Sequence, residues 1–405
     1  MADGDGGTAR TEGELSDPQR RETPAELPDL EGISRGPLPG NWRTWAFLLS
    51  VAAVVGAFAY DYTTLGPRET IVFGWDLALH EWLFVLSLAV FVFYVLVPLV
   101  TNRRLTLTYW RRLRDRPLGL VSFLYLVVFF LVGMVGPEVL GAPSVATFNP
   151  PYQPPVGFDA SNVFVTTCAG EVSGGKCHGS MEYPLGTDGN GRDMIVLLVN
   201  GMRVALEVAF VSAMLLVPLA TAVGTVAAEY GGWVDDVLMR GVDLLQVIPA
   251  FFVYIVVQYV YEPHLSLLLV VFGFLSWGSI ARLVKSEAEG TRQAEYVRAA
   301  ECAGAGRLWV IRRHVVPNVI NTVISAVTLL VPTLIIIEAA LSYLALGDPE
   351  ANSLGYVISA GLNTTEFPTY WWISTVPAVL LIVTVVALNL FGDALGDVLD
   401  PRMDR

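Results

Sequence analysis

Long apolar runs separated by polar stretches dominate the chain after about residue 43. The runs lie at about 44–61, 82–101, 118–137, 201–228, 238–260, 265–284, 318–345 and 372–392. A bilayer core about 30 Å thick requires roughly 20 apolar residues per crossing helix. A transmembrane β-barrel would instead alternate apolar and polar positions over segments of about 10 residues. The pattern therefore predicts an all-α polytopic membrane protein with about eight transmembrane helices.

Composition agrees with this class, since 54% of the residues are hydrophobic and the mean hydropathy is +0.54. The net charge is −13, and the only lysines are Lys176 and Lys285. An acidic excess with little lysine predicts adaptation to high salt, as in a halophile, because strong charge keeps a surface solvated. A GC-rich genome is an alternative explanation of the arginine bias. The acidic balance argues against a nucleic-acid partner.

Charged loops predict the orientation of the helices. Residues 102–117 contain six arginines and residues 285–317 contain six basic residues, whereas residues 346–371 contain no lysine or arginine. Basic residues concentrate in short cytoplasmic loops, so the first two segments are expected inside the cell and the third outside. Eight spans then place both termini in the cytoplasm and the protein in the cell membrane. The acidic stretch 229–237, also expected inside, fits this orientation poorly.

Residues 138–193 form a long polar stretch that is rich in proline and glycine and is expected outside. Cys168 and Cys177 lie there nine residues apart, in a compartment that permits a disulfide between them. The sequence leaves the reduced pair open as well, because it does not give the loop geometry. Cys302 stands alone, and the chain has no CxxC spacing, which argues against a zinc site.

Two motifs in this stretch resemble ligand-binding loops without completing them. "GEVSGGKC", Gly170 to Cys177, ends in Cys where a phosphate-binding loop needs Ser or Thr, and its flanks lack the strand and helix patterns. "DGNGRD", Asp188 to Asp193, begins like a calcium loop, but its twelfth position is Val199 instead of Glu. A Gly-rich turn into the next helix is the preferred interpretation. The four histidines are scattered, so neither a metal site nor a catalytic site is predicted.

Glu338 stands within the apolar run 318–345, in "LIIIEAALSYLALG". A charged side chain inside a bilayer is costly, so it is expected to face other helices or a water-filled path. The alternative is a position near the outer interface, where the group stays hydrated. The prediction is a role in the translocation path or in a helix–helix contact.

The stretch "EYVRAAECAGAGRLWVIRRHVVP", from Glu295 to Pro317, is the most polar part of the second half of the chain. In a helix, Ala299, Ala300 and Gly304 leave one side with little bulk, which lets another surface approach the backbone closely. Gly304 and Gly306 can end this helix, and Pro317 suits the start of the next membrane helix. A surface that docks a soluble partner is predicted, with a plain solvated loop as the alternative.

These residues resemble the coupling loop of ABC-importer permeases, in which Glu-Ala-Ala precedes a Gly and a hydrophobic-x-Leu-Pro ending. More narrowly, the chain resembles the second permease subunit of dipeptide, oligopeptide and nickel importers. The matching pieces are "YPLGTDGNGRD" (183–193), "EYGGWVDDVLMRGVD" (229–243), "ARLVKSEAEGTRQAEYVRAAECAGA" (281–305), "RRHVVPNV" (312–319), "EAALSYLALG" (338–347) and "LNLFGDALGDVLDPR" (388–402). They cover roughly residues 118–402 in the order of the family.

Two charges depart from the family pattern, because Arg298 stands where Glu is usual and Glu301 where Arg is frequent. Being three residues apart, they can pair along one helix face. The loop after Gly347 also departs, reading "DPEANSLGYVISAG", which leaves the outer contacts with a binding protein open. The resemblance implies that the ATPase-coupling residues are Glu295, Arg298, Ala299, Ala300, Glu301, Gly304 and Pro317.

The resemblance also implies a MetI-like core of five helices and a set of partners. These are a homologous permease subunit forming a heterodimer around one path, two cytoplasmic ABC ATPase subunits and an extracytoplasmic solute-binding protein. The expected segments are a disordered acidic cytoplasmic tail (1–43), two extra transmembrane helices (44–101), a basic loop with the first family-type helix (102–137), an extracytoplasmic region (138–193), the core with its coupling loop (194–392 and 285–317) and a cytoplasmic tail (393–405).

The predicted function is the permease subunit of an ATP-driven importer, with dipeptides or oligopeptides as substrate and no cofactor. ATP hydrolysis is expected on the partner subunits, so the chain itself is not expected to be an enzyme. A nickel or other small-solute importer is the alternative. A secondary transporter driven by an ion gradient is more distant, because one intramembrane acid and no clear repeat are found. A membrane-embedded enzyme would need a polar constellation within the spans, and none is found.

Overall fold

The computed structural model describes residues 42–64, 77–141, 143, 150–161, 165, 167–363 and 368–399. The chain divides into two compact units, Met1–Leu48 and Leu49–Arg405. Of the first unit, only residues 42–48 are described, as the start of a helix. The predicted disordered tail lies outside the described residues, except that residues 42 and 43 are helical. Residues 400–405 of the predicted C-terminal tail also lie outside them, while residues 393–399 are helical.

In the described residues before the long polar stretch there are five α-helices. They are α1 Trp42–Thr64, α2 Leu79–Phe91, α3 Val97–Thr101, α4 Arg103–Arg114 and α5 Pro117–Leu140. A π-helical turn, Val92–Leu96, joins α2 to α3 without a break, so the two form one membrane-length rod.

The polar stretch 150–193, called the cap segment below, contains a small antiparallel sheet. Its strands are β1 Asp159–Ser161, β2 Val172–Ser173 and β3 Lys176–His178, in the order β1-β3-β2. Gly174 and Gly175 form the two-residue turn between β2 and β3, both with positive φ, as a tight hairpin turn requires. "GEVSGGKC" is therefore mostly a β-hairpin, in agreement with the rejection of a phosphate-binding loop.

Ten further helices form the C-terminal half. They are α6 Met194–Tyr230, α7 Gly232–Val247, α8 Ala250–Val260, α9 Leu265–Leu275, α10 Gly278–Arg292, α11 Glu295–Cys302, α12 Arg307–Val310, α13 Val316–Tyr343, α14 Leu354–Leu362 and α15 Trp371–Leu399. A second π-helical turn, Ile311–Val315, joins α12 to α13. Most of the predicted coupling loop is consequently helical.

Within the described residues, seven helical segments are long and apolar enough to cross a membrane. They are Trp42–Thr63, Leu79–Thr101, Pro117–Leu140, Met194–Tyr230, Leu265–Arg292, Arg307–Tyr343 and Trp371–Leu399. The bent pair α7 and α8 makes an eighth if it forms a single span. The predicted all-α polytopic fold is thus confirmed.

The span predicted at about 238–260 falls on two helices, α7 and α8, which meet there at an angle of 71°. Ile248 and Pro249, between the two helices, both have extended backbone conformations with ψ of 114°. Pro249 has no N–H to continue the helical ladder, and its ring disfavours a helical conformation in the residue before it. The bend therefore follows from a proline that the hydropathy pattern alone does not register.

Both π-helical turns lie directly before a proline. Val92–Leu96 precedes Pro98 at the start of α3, and Ile311–Val315 precedes Pro317 at the start of α13. A proline inside a helix lacks a donor and collides with the carbonyl one turn before it. A wider π turn can accommodate that carbonyl while the rod continues. Pro317 therefore stands at the start of α13, as predicted, but within a continuous rod.

Helix α6 is the central packing element of the core and contacts α5, α9, α10 and α13. Two glycines of α5 let it approach α6 closely. A Cβ added to Gly136 would lie 2.3 Å from Cγ1 of Val199, and one added to Gly133 would lie 2.8 Å from Cδ1 of Leu206. Small residues at such crossings favour membrane helix packing, because the backbones approach until dispersion contacts are optimal.

Hydrogen bonds at the helix ends define two opposite faces of the second unit. At one face, Nε1 of Trp372 at the start of α15 donates to the carbonyl of Thr187 in the cap segment, at 3.1 Å. At the other, Arg112 of α4 and Arg292 of α10 donate to carbonyls in the last turns of α15 and α6, at 3.0 and 3.1 Å. Helix α4 and the end of α10 therefore lie opposite the cap segment.

Candidate functional site

The coupling segment, residues 285–317, displays its short helix α11 on the surface. Of the eight residues of α11, all of them described, only Val297 is buried, with 0% of its surface exposed. The predicted coupling residues are otherwise accessible: Ala300 is partly buried, and Glu295, Arg298, Ala299, Glu301, Gly304 and Pro317 are exposed. The structure gathers all of these residues except Pro317 on α11 and its C-terminal end.

Gly304 ends α11 as predicted. Its φ of +91° is in the left-handed region, and its N–H donates to the carbonyl of Glu301 at 2.9 Å. The N–H of Ala305 donates back to the carbonyl of Ala300 at 3.1 Å. These two bonds form a Schellman motif, which satisfies carbonyls that the helix end would otherwise leave without donors. No atom lies within 4 Å of a Cβ added to Gly304, so the glycine is required by backbone conformation and leaves the surface flat.

The spacing of Arg298 and Glu301 allows them to pair, and in this conformation they do not. The two residues lie on α11 at the expected spacing and both are exposed, but within the described residues no ion pair of 4.0 Å or less joins them. An exposed pair at this spacing contributes only about 0.3–0.5 kcal/mol, which is too little to hold two long side chains together. Both charges are therefore available to another molecule.

Arg292, the last residue of α10, ties the coupling segment to the end of α6. Its guanidinium donates to the carbonyl of Ala228 at 3.1 Å and lies 3.8 Å from the buried carboxylate of Glu229. Arg307, on the far side of α11, lies over the ring of Tyr230 at 5.3 Å. Sequence reasoning did not assign these contacts, which join segments more than 60 residues apart.

The acidic stretch 229–237 has its partners within the chain. The carboxylate of Asp235 on α7 lies 2.6 Å from Nζ of Lys285 on α10. Further along the same two helices, Asp243 of α7 pairs with Arg282 of α10. Of the three acids in this stretch, Glu229 and Asp235 thus lie beside basic residues of α10, while Asp236 is exposed. Charge counting along separate loops could not register this pairing.

An apolar rim adjoins α11 on the same surface. Tyr296 is 49% exposed, Leu308 73% and Trp309 52%. The ring of His314 lies between two of them, with centroids 5.7 Å from Tyr296 and 5.1 Å from Trp309. Large apolar side chains exposed beside a patch of small residues are typical of a protein contact surface. The sequence pattern singled out the small residues and missed this rim.

Glu338 lies on α13 with 4% of its surface exposed. Its Oε1 accepts a hydrogen bond from Ser342 one turn later, at 2.7 Å, and its carboxylate is also hydrogen-bonded to Ser353, the N-cap of α14. The side chain therefore makes a helix–helix contact within the chain, which is one of the two roles considered for it.

Asp188 organises the turn at the end of the cap segment. Its carboxylate accepts hydrogen bonds from the backbone N–H of Asn190 at 2.9 Å and of Arg192 at 2.8 Å, and pairs with Nε of Arg192 at 2.7 Å. Arg192 also donates to Oδ1 of Asn352, in the loop before α14, at 3.0 Å. The oxygens that a calcium ion would need are thus occupied by protein donors, which supports the interpretation of "DGNGRD" as a turn.

The next residue, Asp193, starts α6. Its side chain accepts a hydrogen bond from the N–H of Ile195 at 2.7 Å, as an N-cap does. Burial raises the pKa of Asp193 above its usual range, and the bond from Ile195 opposes this shift.

The structure joins Cys168 and Cys177 by a disulfide with a Cα–Cα distance of 5.7 Å. The side chain of Gln153 lies against the same loop, where its Nε2 donates to the carbonyl of Thr167 at 2.8 Å and its Oε1 accepts from the N–H of Ala169 at 2.8 Å. The cap segment is therefore held by a covalent cross-link and by a buried polar network.

A cluster that the sequence did not predict connects the extra helix α2 to the core. Nε2 of His80 lies 3.7 Å from Oε2 of Glu207 on α6, and Arg203 pairs with Oε1 of the same carboxylate at 3.0 Å. Glu81 adds a third atom of the kind that binds metals, a carboxylate oxygen, and the three atoms lie within 4.8 Å of one another. Because Arg203 already compensates the charge of Glu207, we interpret the cluster as an ionic tie between helices and not as a metal centre.

The fold and the coupling segment together define a class. Within the described residues there are seven or eight candidate spans, of which the α6 span contacts several others. One face displays the small-residue helix α11, and Arg292 beside it bonds to the end of α6. This is a polytopic α-helical membrane protein of the transport-permease type.

Comparison with known proteins agrees with this class. Residues 220–405 match the family described as "Binding-protein-dependent transport system inner membrane component". The oligopeptide transport system permease protein OppC of Escherichia coli K12 is 34% identical over 218 residues, which cover 54% of this chain and 72% of that protein. A candidate peptide transport system permease protein of Brucella suis biovar 1 is 30% identical over 295 residues, covering 72% of this chain and 90% of that protein. OppC of Haemophilus influenzae is 33% identical over 218 residues, covering 54% and 70%.

The chain belongs to the family of binding-protein-dependent transport system inner membrane components, as an ABC permease of the oligopeptide type. The matched relatives are permease components and not catalytic subunits. The resemblance seen in the sequence is thereby confirmed at the level of the family. The individual coupling residues remain predictions.

Proposed function

We propose that the chain forms, with a homologous permease subunit, the central path of an ATP-driven importer for dipeptides or oligopeptides. Two cytoplasmic ATPase subunits dock on the coupling segment, and an extracytoplasmic solute-binding protein delivers the substrate on the cap side. The chain supplies the path and the mechanical connection, and ATP hydrolysis takes place on the ATPase subunits.

The observation that carries this proposal is the exposure of α11. A helix of eight residues that buries only Val297 gains little stability from its own contacts, because isolated helices shorter than about 12 residues are marginal in water. Its exposed small residues, the unpaired charges of Arg298 and Glu301 and the rim of Tyr296, Leu308 and Trp309 form a surface that a protein partner can cover.

The contacts of α11 with the spans supply the route for coupling. Helix α10 leads into it from one span and the rod α12–α13 leads away as the next. Arg292 connects the junction to the end of α6. When the ATPase pair closes on ATP, α11 moves with it and displaces these rods together, so that the path opens outward. The free energy for this opening comes from contacts that differ between the two states of the permease, before and after the ATPase pair closes.

The substrate class is inferred from the relatives. The matched proteins of Escherichia coli, Haemophilus influenzae and Brucella suis are all named for oligopeptide or peptide transport. In the described residues, no observation specifically favours nickel over peptide.

The test of docking is a charge exchange on α11. Arg298→Glu is expected to weaken binding of the ATPase subunits about tenfold, because reversal replaces an attraction of about 1 kcal/mol by a repulsion. Adding Glu301→Arg is expected to restore part of the affinity. The control is Arg240→Glu, which reverses an exposed charge on α7 away from α11. Unchanged ATPase binding and uptake in Arg298→Glu would contradict docking through this residue.

The test of the transport class uses proteoliposomes that contain the permease pair, the ATPases and the binding protein. Uptake of peptide is expected to require ATP. Uptake that persists without ATP and follows a proton or sodium gradient would identify a secondary transporter and overturn the proposal.

A further inference from the structure

Helix α4 lies between two spans along the chain, and this fixes its position relative to the membrane surface. The rod Leu79–Thr101 ends directly before it, and the span Pro117–Leu140 begins two residues after it. Both ends of α4 are therefore at one membrane surface. A helix of 12 residues is about 18 Å long, and its contacts with α3, α5 and α15 keep it against the ends of these spans. It lies at the level where the lipid headgroups begin.

Two of the arginines of this segment have structural partners. Nη1 of Arg112 donates to the carbonyl of Val398, and Arg116 pairs with Asp397 at 3.0 Å. Leu113, between them, is buried against the end of α15. These contacts attach one side of α4 to the C-terminal turn of the last span and fix which side faces away.

The other four arginines of α4, Arg103, Arg104, Arg111 and Arg114, are exposed. Within the described part of the chain their side chains have no hydrogen-bond or ion-pair partner. At 100° per residue they occupy one arc of the helix, on the side away from Leu113. The chain has a net charge of −13, so four unpaired guanidinium groups on one helix form a local positive patch on an acidic protein.

Exposed apolar side chains lie beside and among these arginines. Leu105 is 52% exposed, Leu107 44% and Trp110 43%. Leucine, tryptophan and arginine on one amphipathic helix are typical of helices that lie in the membrane interface, where tryptophan is enriched. Guanidinium groups can bind phosphate oxygens in a bidentate manner.

We propose that α4 binds anionic phospholipid headgroups through Arg103, Arg104, Arg111 and Arg114. The ligand is a glycerophospholipid with net negative charge, held by its phosphate while Leu105 and Trp110 lie beside the acyl chains. A bound lipid of this kind stiffens the segment that clamps the end of α15.

The test measures lipid selectivity of the full chain reconstituted in phosphatidylcholine vesicles. Spin-labelled phosphatidylglycerol and spin-labelled phosphatidylcholine are compared by the fraction of each label that the protein immobilises. The wild-type chain is expected to prefer the anionic label about fivefold or more, since one basic residue at a membrane surface contributes about that factor. The combined variant Arg103→Gln, Arg104→Gln, Arg111→Gln and Arg114→Gln is expected to lower the ratio to about one. The four Arg→Lys changes are expected to keep most of it.

A matched pair of double variants guards against a general charge effect. Arg104→Gln with Arg111→Gln is expected to lower the ratio severalfold, whereas Lys176→Gln with Arg240→Gln, which removes two exposed charges from other elements, is expected to leave it unchanged. If the fourfold variant does not fold, the double and lysine variants decide. A wild-type ratio of about one, or equal ratios in the two double variants, would overturn the proposal. A fourfold Gln variant that keeps its lipid selectivity but no longer binds a protein partner would overturn it as well, because the arginines would then serve a protein contact.

Discussion

The cap segment encloses its polar groups, whereas the coupling segment on the opposite face displays them. In the cap, Asp188 and Arg192 are 3% and 8% exposed and bonded to each other, and the Cys168–Cys177 disulfide closes the adjacent loop. In the coupling segment, α11 buries only Val297 among its eight residues, and Arg292 beside it bonds to the end of α6.

The polar groups at the two faces of the molecule therefore serve different purposes. The cap completes its own hydrogen bonds, so its shape does not depend on a partner. The coupling helix leaves charges and apolar surface open, so its stability in the working protein must come partly from what covers it. The following experiments test this contrast, from the largest expected effect to the smallest.

Asp188→Asn is expected to destabilise the protein most, by about 3–5 kcal/mol, because it leaves the guanidinium of Arg192 buried without its counter-charge. Thermal unfolding of the purified chain in detergent, followed by tryptophan fluorescence, measures the change. The control is Asp159→Asn in the same segment, where the carboxylate is 39% exposed and its pairs contribute less than about 1 kcal/mol. Similar shifts in both variants would show that the cap does not depend on the buried pair.

Replacing both Cys168 and Cys177 by Ser is expected to cost about 2–3 kcal/mol, since the cross-link restrains a loop of about ten residues in the unfolded chain. The same unfolding measurement, with and without a reductant, checks the value. Cys302→Ser provides the control, because this cysteine is free and exposed. If reductant affects the wild-type chain and the double Ser variant equally, the disulfide contributes nothing.

Val297→Ala is expected to loosen α11 locally by about 1.5 kcal/mol, the effect of two buried methyl-sized groups. Amide hydrogen exchange over Glu295–Cys302 should become about tenfold faster, with the cap segment unchanged. Val237→Ala on α7, where the side chain is 60% exposed, is the control. Faster exchange spread over both faces would mean that α11 does not open independently.

Ala345→Gly is expected to stabilise the chain by about 1 kcal/mol. Ala345 ends α13 with φ +59° and the same pair of backbone bonds that Gly304 makes after α11, and a Cβ in this left-handed conformation is unfavourable. A small rise in Tm would confirm it. Ala303→Gly, at φ −77°, should give no rise because no strain is relieved there.

Much of the fold could be predicted from sequence. The apolar runs predicted the class and most spans, because the length needed to cross a bilayer is fixed. The bend at Pro249 and the extension of α10 to Arg292 could not be read from hydropathy, which averages over such breaks. The candidate site was predicted in part. Its small residues recur at helical spacing and can be recognised in the sequence, whereas the contacts of Arg292 and the exposed rim at Trp309 depend on distant parts of the chain.

The resemblance of its motifs to a known family pointed to a permease. From its own pattern, the sequence determined that the protein is polytopic and helical, that Gly304 or Gly306 could end a short helix and that Cys168 and Cys177 were close enough along the chain to pair. These properties depend on composition and on neighbours within a few residues. The tertiary structure decided which charges are neutralised and which stay free. Asp235 is compensated by Lys285 and Arg298 is not paired with Glu301, because a salt bridge forms where packing brings two groups together at little entropic cost.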